Sequence, residues 1–472
     1  MDKLRGTDKK RLSAVILLLI ALPLLLIVVK QRTDNRSRAA APDQLEAEGG
    51  VLGGNAVAKA DSLASGGQYV EFSKQTGAAG PRPAPSSLGS YVYPASVSWK
   101  PTAGTTYTMP IGANQSAQDN FISSVPNGTE NNPSIIVFPA GNTWTRNGNG
   151  FQVRYPRAYL IFWGYGAKLN MTTTDFAGSP DRGGGYQSGF MLSDYGPYAA
   201  TVGPVHHIKI LGLEIIGSNP DAASPNARSS LGQEYQAGVT INGWTEDIEI
   251  ADSHVRDTLG DSINVFGGAD YNKAYRYNLH NNLFERNGRS GVILSVGDDA
   301  YIENNIIRDS AWASFGSEDA ANNQLTIRGM YIRDNLLERD WWTGAQLPGY
   351  LPFTAYFSNS YHNRPNALGV WKDFYFERNT YTGRRPGGWG GPGDTVHDTA
   401  YIWIGDRYSS ASEDIPIDGC YIRDNQFIVP AEARFKTAVM MRGCRSGAVT
   451  GNNFSGAPMD IQRSSVTVSG NN

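Results

Sequence analysis

The chain has 472 residues, a formal net charge of −3 and only 18% charged residues, so it lacks the basic stripe that a nucleic-acid partner requires. Its two cysteines, Cys420 and Cys444, form no CxxC pair, which argues against a zinc site and leaves one disulfide or two free thiols open. With 54 glycines and few long helical patterns, the composition points to β structure with many tight turns.

The N-terminus carries the sharpest local pattern. Lys3, Arg5, Lys9, Lys10 and Arg11 precede an apolar run, SAVILLLIALPLLLIVV, at residues 13–29. The run is long enough for a short membrane-spanning helix, and Pro23 is tolerated in such a helix. The positive cluster predicts a cytoplasmic tail over 1–12, a transmembrane signal anchor over 13–29 and an exported body. The alternative is a secreted protein cleaved at Ala39-Ala40-Ala41, which lies further past the run than cleavage sites prefer.

Residues 30–90 read as a spacer and linker. Within them, 45–72 contains Glu46-Ala47-Glu48 and Gly66-Gly67-Gln68-Tyr69-Val70. These resemble the opening strands of jelly-roll carbohydrate-binding modules, over a stretch much shorter than such a module. The Pro- and Ser-rich segment 78–90, AAGPRPAPSSLGS, reads as a flexible linker. The main domain is then expected over 91–472.

That domain opens with a strand and turn at 134–144, SIIVFPAGNTW, and another at 158–171, AYLIFWGYGAKLNM. An early helical patch, the IVFPAG strand and the Gly-x-Gly-Ala strand resemble the start of pectin-lyase-like proteins. The resemblance implies an all-β, right-handed parallel β-helix solenoid. Such folds host lyases, glycoside hydrolases, epimerases, phage spikes and adhesins, so the fold alone does not choose an activity.

A recurring phrase supports the solenoid: a polar pair followed by two mostly apolar residues. It reads Asp252-Ser253-His254-Val255, Asn281-Asn282-Leu283-Phe284, Asn304-Asn305-Ile306-Ile307 and Asp334-Asn335-Leu336-Leu337. It continues with Arg378-Asn379-Thr380-Tyr381, Asp424-Asn425-Gln426-Phe427 and a weaker Asn452-Asn453-Phe454-Ser455, with Asn471 as the start of a last copy. Counted on the second residue, the spacings are 29, 23, 30, 44, 46 and 28. The short spacings fit one three-strand turn and the two long ones fit turns with insertions, giving seven or eight rungs. In a parallel coil, equivalent residues stack about 4.8 Å apart, where asparagines can bond to those above and below. The first four phrases are followed by Arg256-Asp257, Glu285-Arg286, Arg308-Asp309 and Glu338-Arg339. Stacked, both columns alternate in sign, which favours this register.

Candidate chemistry follows the same register. Asp298-Asp299, in SVGDD, resembles the Gly-Asp-Asp of polygalacturonase-like hydrolases, but Asn-Thr-Asp, Gly-His-Gly and Arg-Ile-Lys motifs are missing, and a solvated turn is the expectation. Asp261, Arg289 and Glu318 sit near equivalent places on three successive rungs. In one groove, Arg289 would neutralise a sugar carboxylate while Glu318 or Asp261 moved the proton; the rival reading is another salt-bridged stack. The insertions carry Trp341, Trp342, Trp389 and Trp403 as candidate sugar platforms or loop-covering rings. No cofactor and no metal site are expected. Calcium would need several of Asp298, Asp299, Glu318 and Asp319, which no spacing ties together. His206, His207 and His254 read as structural, whereas His362 and His397 fall in the insertions.

The expectation is a membrane-anchored extracellular β-helix that binds a polysaccharide or surface glycan; whether it is an enzyme is left open, and if it is one it would be a polysaccharide lyase or glycoside hydrolase. The alternative is a non-catalytic adhesin or structural glycan-binding protein.

Overall fold

The structure, a computed structural model, describes residues 56–60, 68–72, 80–148, 150–154, 156–172, 187–193, 203–219, 236–266, 274–294, 297–311, 313–317, 326–339, 353–357, 370–383, 400–405, 417–428 and 437–472. The chain divides into two compact units, Met1–Gly77 and Ala78–Asn472. In the first, Ala56–Ala60 pairs antiparallel with Gln68–Phe72, within the module-like stretch. Among the described residues no helix is long and apolar enough to cross a membrane. The anchor expected at 13–29 lies outside them.

The second unit is a parallel coil. Among the described residues its strands form three sheets of 12, 9 and 10 strands, here called sheets 1, 2 and 3. One turn shows the plan. Thr245–Ala251 lies in sheet 1, His254–Arg256 in sheet 2 and Ile263–Phe266 in sheet 3. The next strand, Ala274–His280, lands on Thr245–Ala251 in parallel register. Alternation decides which side chains fill the coil. Ile248, Ile250, Val255, Ile263 and Val265 point inward and are at most 1% exposed. They join a continuous core running from Met109 to Phe454.

A helix, α1 (Gln115–Ser124), precedes the first full turn. Asn114 caps it, its side chain accepting from the Ala117 N–H at 3.0 Å. Arg157 closes the other end by donating to the carbonyls of Ile122 and Val125 at 3.2 and 2.8 Å.

The polar phrase is the corner between sheets 1 and 2, and each half has its own task. The first residue takes a left-handed backbone, with φ from 52° to 58° at Asp252, Asn281, Asn304, Asp334, Arg378 and Asp424. Asn and Asp tolerate that region better than most side chains. The second residue builds a ladder through Asn282, Asn305, Asn335, Asn379, Asn425, Asn452 and Asn471. Each amide donates to the next Oδ1 at 2.8–3.1 Å. The same oxygen also accepts a backbone N–H from the turn before it, as in Asn282 N–H to Asn305 Oδ1 at 3.0 Å. The seventh phrase is therefore shifted by one from the expected alignment: Asn452, not Asn453, is the rung, and Gly451 takes the positive φ of 68°. The count of seven or eight rungs is also too low, because the 12 strands of sheet 1 begin well before Asp252. The earlier corners, such as Gly212-Leu213, carry no asparagine and so escape the phrase.

The charge columns stack as expected, with Arg256, Glu285, Arg308 and Glu338 in direct register. Two of the bonds run within a column and one leaves it. Arg308 reaches Glu338 at 2.6 Å, Arg286 reaches Asp257 at 2.7 Å, and Arg256 turns back to Glu214 at 2.9 Å. Glu285 also takes His254 at 3.0 Å.

The predicted linker is a correction. From Gly80 to Trp99 the chain is a strap across the outer face of sheet 1, and the compact unit starts at Ala78 rather than 91. Arg82 grips Asp252 with two bonds of 2.7 and 2.9 Å, and Tyr165 donates to the same carboxylate at 2.6 Å. Leu88, Tyr91 and Trp99 bury against Ile161, Leu211 and Ala251. Its prolines suit an extended segment without ladder bonds, which is why composition resembles a free linker. Near the other end, Cys420 and Cys444 form a disulfide between neighbouring turns, and both are fully buried.

Candidate functional site

Two outer faces of the coil bear on function. The first is that of sheet 3. The segments 340–352 and 384–399 enter its strands and 358–369 and 406–416 leave them, so the two long insertions flank this sheet by chain connectivity. Down its outer face run Thr240, Asn264, Ile293, Gly316, Tyr356, Trp403 and Met440. Tyr356, Trp403 and Met440 pack into a small apolar cluster.

Two of the three expected catalytic groups, Asp261 and Arg289, are described and lie just before strands of this sheet. Asp261 and Arg289 do meet, with Arg289 Nη1 3.5 Å from Asp261 Oδ2. Asp261 is 0% exposed, and it also accepts the Ser290 N–H at 3.0 Å and the Asn264 amide at 3.2 Å. Among the described residues the pair is a buried contact between neighbouring turns. Both residues precede their strands, whereas Glu318 follows Ser317, the last residue of the strand Ala313–Ser317. Ser290 pairs with Ala313 at the start of that strand. Glu318 itself lies outside the described residues, as do Trp341, Trp342, Trp389, His362 and His397. Trp403 is described and is not an open platform: it is 4% exposed and its indole N–H bonds the Gly405 carbonyl at 3.1 Å.

Asp298-Asp299 is a second correction. The pair lies in the strand Gly297–Glu303, not in a turn. Asp299 has φ 53°, in a column of left-handed residues that includes His207, Asp247, Arg276, Gly329 and Asp373. The aspartate is explained by that repeated bend in sheet 1. Burial pushes the Asp298 carboxyl above its usual range, with Arg328 opposing. Among the described residues no group of three or more His, Cys, Asp or Glu could hold a metal ion.

The second face is the outer side of sheet 1, beyond the strap. Tyr301, Tyr331, Tyr375 and Tyr421 occupy one column. Their rings stack with centroids 4.8, 4.8 and 4.7 Å apart and planes within 8°, 9° and 12°. All four are half-buried. Burial raises the Tyr301, Tyr331 and Tyr375 phenols above their ordinary range, so they stay protonated near neutrality. Stacking spends the ring faces on one another and leaves the edges and hydroxyls outward. Among the described residues none of these four hydroxyls has a hydrogen-bond partner. Beside the rail runs a column of alternating charge, Glu303, Arg333, Glu377 and Arg423. Arg333 bonds Glu303, Arg423 lies 3.4 Å from Glu377, and Arg423 sits 4.2 Å from the Tyr421 ring.

Sequence reasoning missed this rail although its pattern is visible. Each tyrosine stands four residues before a ladder asparagine, in YIENN, YIRDN, YFERN and YIRDN at 301–305, 331–335, 375–379 and 421–425. Attention to the corner hid the strand before it.

Comparison with known proteins bears on the fold. No protein-family profile matches the chain, and no curated protein matches either. Among solved structures, the surface protein and adhesin PfbA of Streptococcus pneumoniae aligns with a TM-score of 0.51 and 12% identity, over 78% of this chain and 97% of that one. The shared fold is a parallel β-helix. Two further solved structures align more loosely. The tailspike of Escherichia coli bacteriophage HK620, solved with a pentasaccharide, gives a TM-score of 0.42 at 13% identity over 75% and 61% of the two chains. The family 28 exopolygalacturonase of Yersinia enterocolitica gives 0.42 at 12% over 78% and 75%.

Proposed function

We propose that this β-helix binds a linear polysaccharide along the tyrosine rail and holds it without cutting it. The observation that carries the reading is the row of four unpartnered phenol hydroxyls, one per turn, spaced by stacked rings at 4.7–4.8 Å. A periodic comb of donors suits a polymer whose hydroxyls also recur at regular intervals, and Arg333 and Arg423 add charge along its edge. The adhesin with the same fold is in keeping with a surface role. Residues 13–29 would tether the body to the cell membrane with the N-terminus inside, cleavage and secretion being the alternative. The Cys420–Cys444 disulfide fits an oxidising compartment. The catalytic reading through Asp261, Arg289 and Glu318 is the second one. The complete burial of Asp261 weighs against it.

The test is a panel of uronate and neutral glycans offered to the purified protein. At least one glycan is expected to bind with no ultraviolet-absorbing product and no new reducing ends. The double variant Tyr331→Ala/Tyr375→Ala is expected to weaken binding about tenfold or more, since two hydrogen bonds of about 1 kcal/mol each are lost. Turnover of the bound glycan, or unchanged affinity in the double variant, would refute the reading.

A further inference from the structure

The first turn of the coil holds a cleft of about 540 Å³ between α1 and the strand Phe151–Arg154. That volume is within the range of small-molecule sites. Its lining is polar and basic, with Gln115, Asp119, Ser123, Arg146, Gln152, Arg154 and Arg157 among its residues. The charges do not cancel. Asp119 is committed to Arg146 at 2.6 Å. Arg154 is exposed and, among the described residues, bonds only the Gln152 amide oxygen, at 3.3 Å. Arg157 spends two of its N–H groups on the carbonyls that end α1 and, among the described residues, faces no carboxylate. Burial pushes its guanidinium down from the usual range, and no acid opposes the shift. Among the described residues, two arginines without carboxylate partners thus line one concave site beside two amides and a hydroxyl.

We propose that this cleft is a separate binding site for a small acidic sugar. Arg154 and Arg157 take its carboxylate, for which the planar guanidinium fork is suited. Gln115, Gln152 and Ser123 pair with its hydroxyls. The site is independent of the tyrosine rail, being built at the other end of the coil from different strands.

Calorimetric titration of the full-length chain in detergent micelles tests it, using a galacturonic acid trimer, the neutral galactose trimer and inorganic sulfate. The same titrations in Tyr331→Ala/Tyr375→Ala keep the two sites apart. The acidic trimer is expected to bind both proteins alike at this site, more weakly as salt rises. Arg154→Gln should weaken that binding at least tenfold and Arg154→Lys should restore part of it. Arg154 is exposed, so neither change threatens the fold. The neutral trimer should not compete. An affinity untouched by Arg154→Gln, equal binding of the neutral trimer, or no binding of the acidic trimer in the rail variant would overturn the proposal. Sulfate binding as tightly, with the same dependence on Arg154, would overturn the sugar as ligand.

Discussion

Asn335→Ala is expected to be among the most damaging single substitutions in the coil. Asn335 accepts the Asn305 N–H and the Asn305 amide, each at 3.0 Å. It donates to the Ile302 carbonyl at 2.9 Å and to Asn379 at 2.9 Å. Alanine strands the buried Asn305 N–H, the Asn305 amide and the Ile302 carbonyl. At about 1–3 kcal/mol for each of the three unsatisfied groups, the loss is roughly 3–9 kcal/mol. Urea denaturation should show a lowered midpoint. Because each turn of a solenoid leans on its neighbours, the transition should also broaden as the two halves uncouple. Asn471→Ala removes only the last, partly buried rung and should cost far less. Equal losses at the two positions would show that the ladder does not set stability.

Lys209→Met is expected to cost about 3–5 kcal/mol, because it leaves a buried carboxylate without its cation. Glu249 is 2% exposed and takes three donors: the Lys209 ammonium, the Tyr91 hydroxyl at 2.8 Å and His280 Nε2 at 2.8 Å. The strap residues Tyr93 and Trp99 cover Lys209, each ring 4.8 Å from Nζ. The double variant Lys209→Met/Glu249→Leu should recover most of the loss, since neither charge is then buried alone. The pair also sets an acid limit. Burial alone would raise the Glu249 carboxyl, but Lys209 and His280 outweigh it and hold it at about 2. Glu285 is likewise held at about 2, with burial outweighed by His254, Arg286 and Arg308. Both lie below the ordinary 4.5. Their contribution is therefore complete above that pH and disappears as pH falls through about 2. Acid unfolding should be steep in that window, and in Lys209→Met it should begin at higher pH. Circular dichroism against pH reads both; an unchanged onset in Lys209→Met would show that the ammonium does not hold the carboxyl down.

What could be read from sequence was what repeats locally. A corner that needs one left-handed residue and one stacking amide writes the same two letters each turn, so Asn305 and its counterparts were visible. Arg256 to Glu338 were legible for the same reason, because a one-letter shift would set like charges together. The tyrosine rail was equally periodic and passed unnoticed behind the corner. The strap was not legible, because what fixes Arg82 is Asp252, 170 residues away. Nor was the fate of Asp261, whose neighbours 3 and 29 positions on turn a candidate base into a satisfied structural group.

The sequence by itself determined the coil, since each turn stacks on a near copy and its contacts repeat as a pattern of residues. It also determined the register of the charge columns. Only the tertiary structure decided that the second compact unit begins at Ala78, that Cys420 and Cys444 pair, that Trp403 is packed away and that the outward hydroxyls lie on sheet 1. Those outcomes depend on which distant side chains cover, bury or leave open a given atom, and no spacing along the chain encodes that.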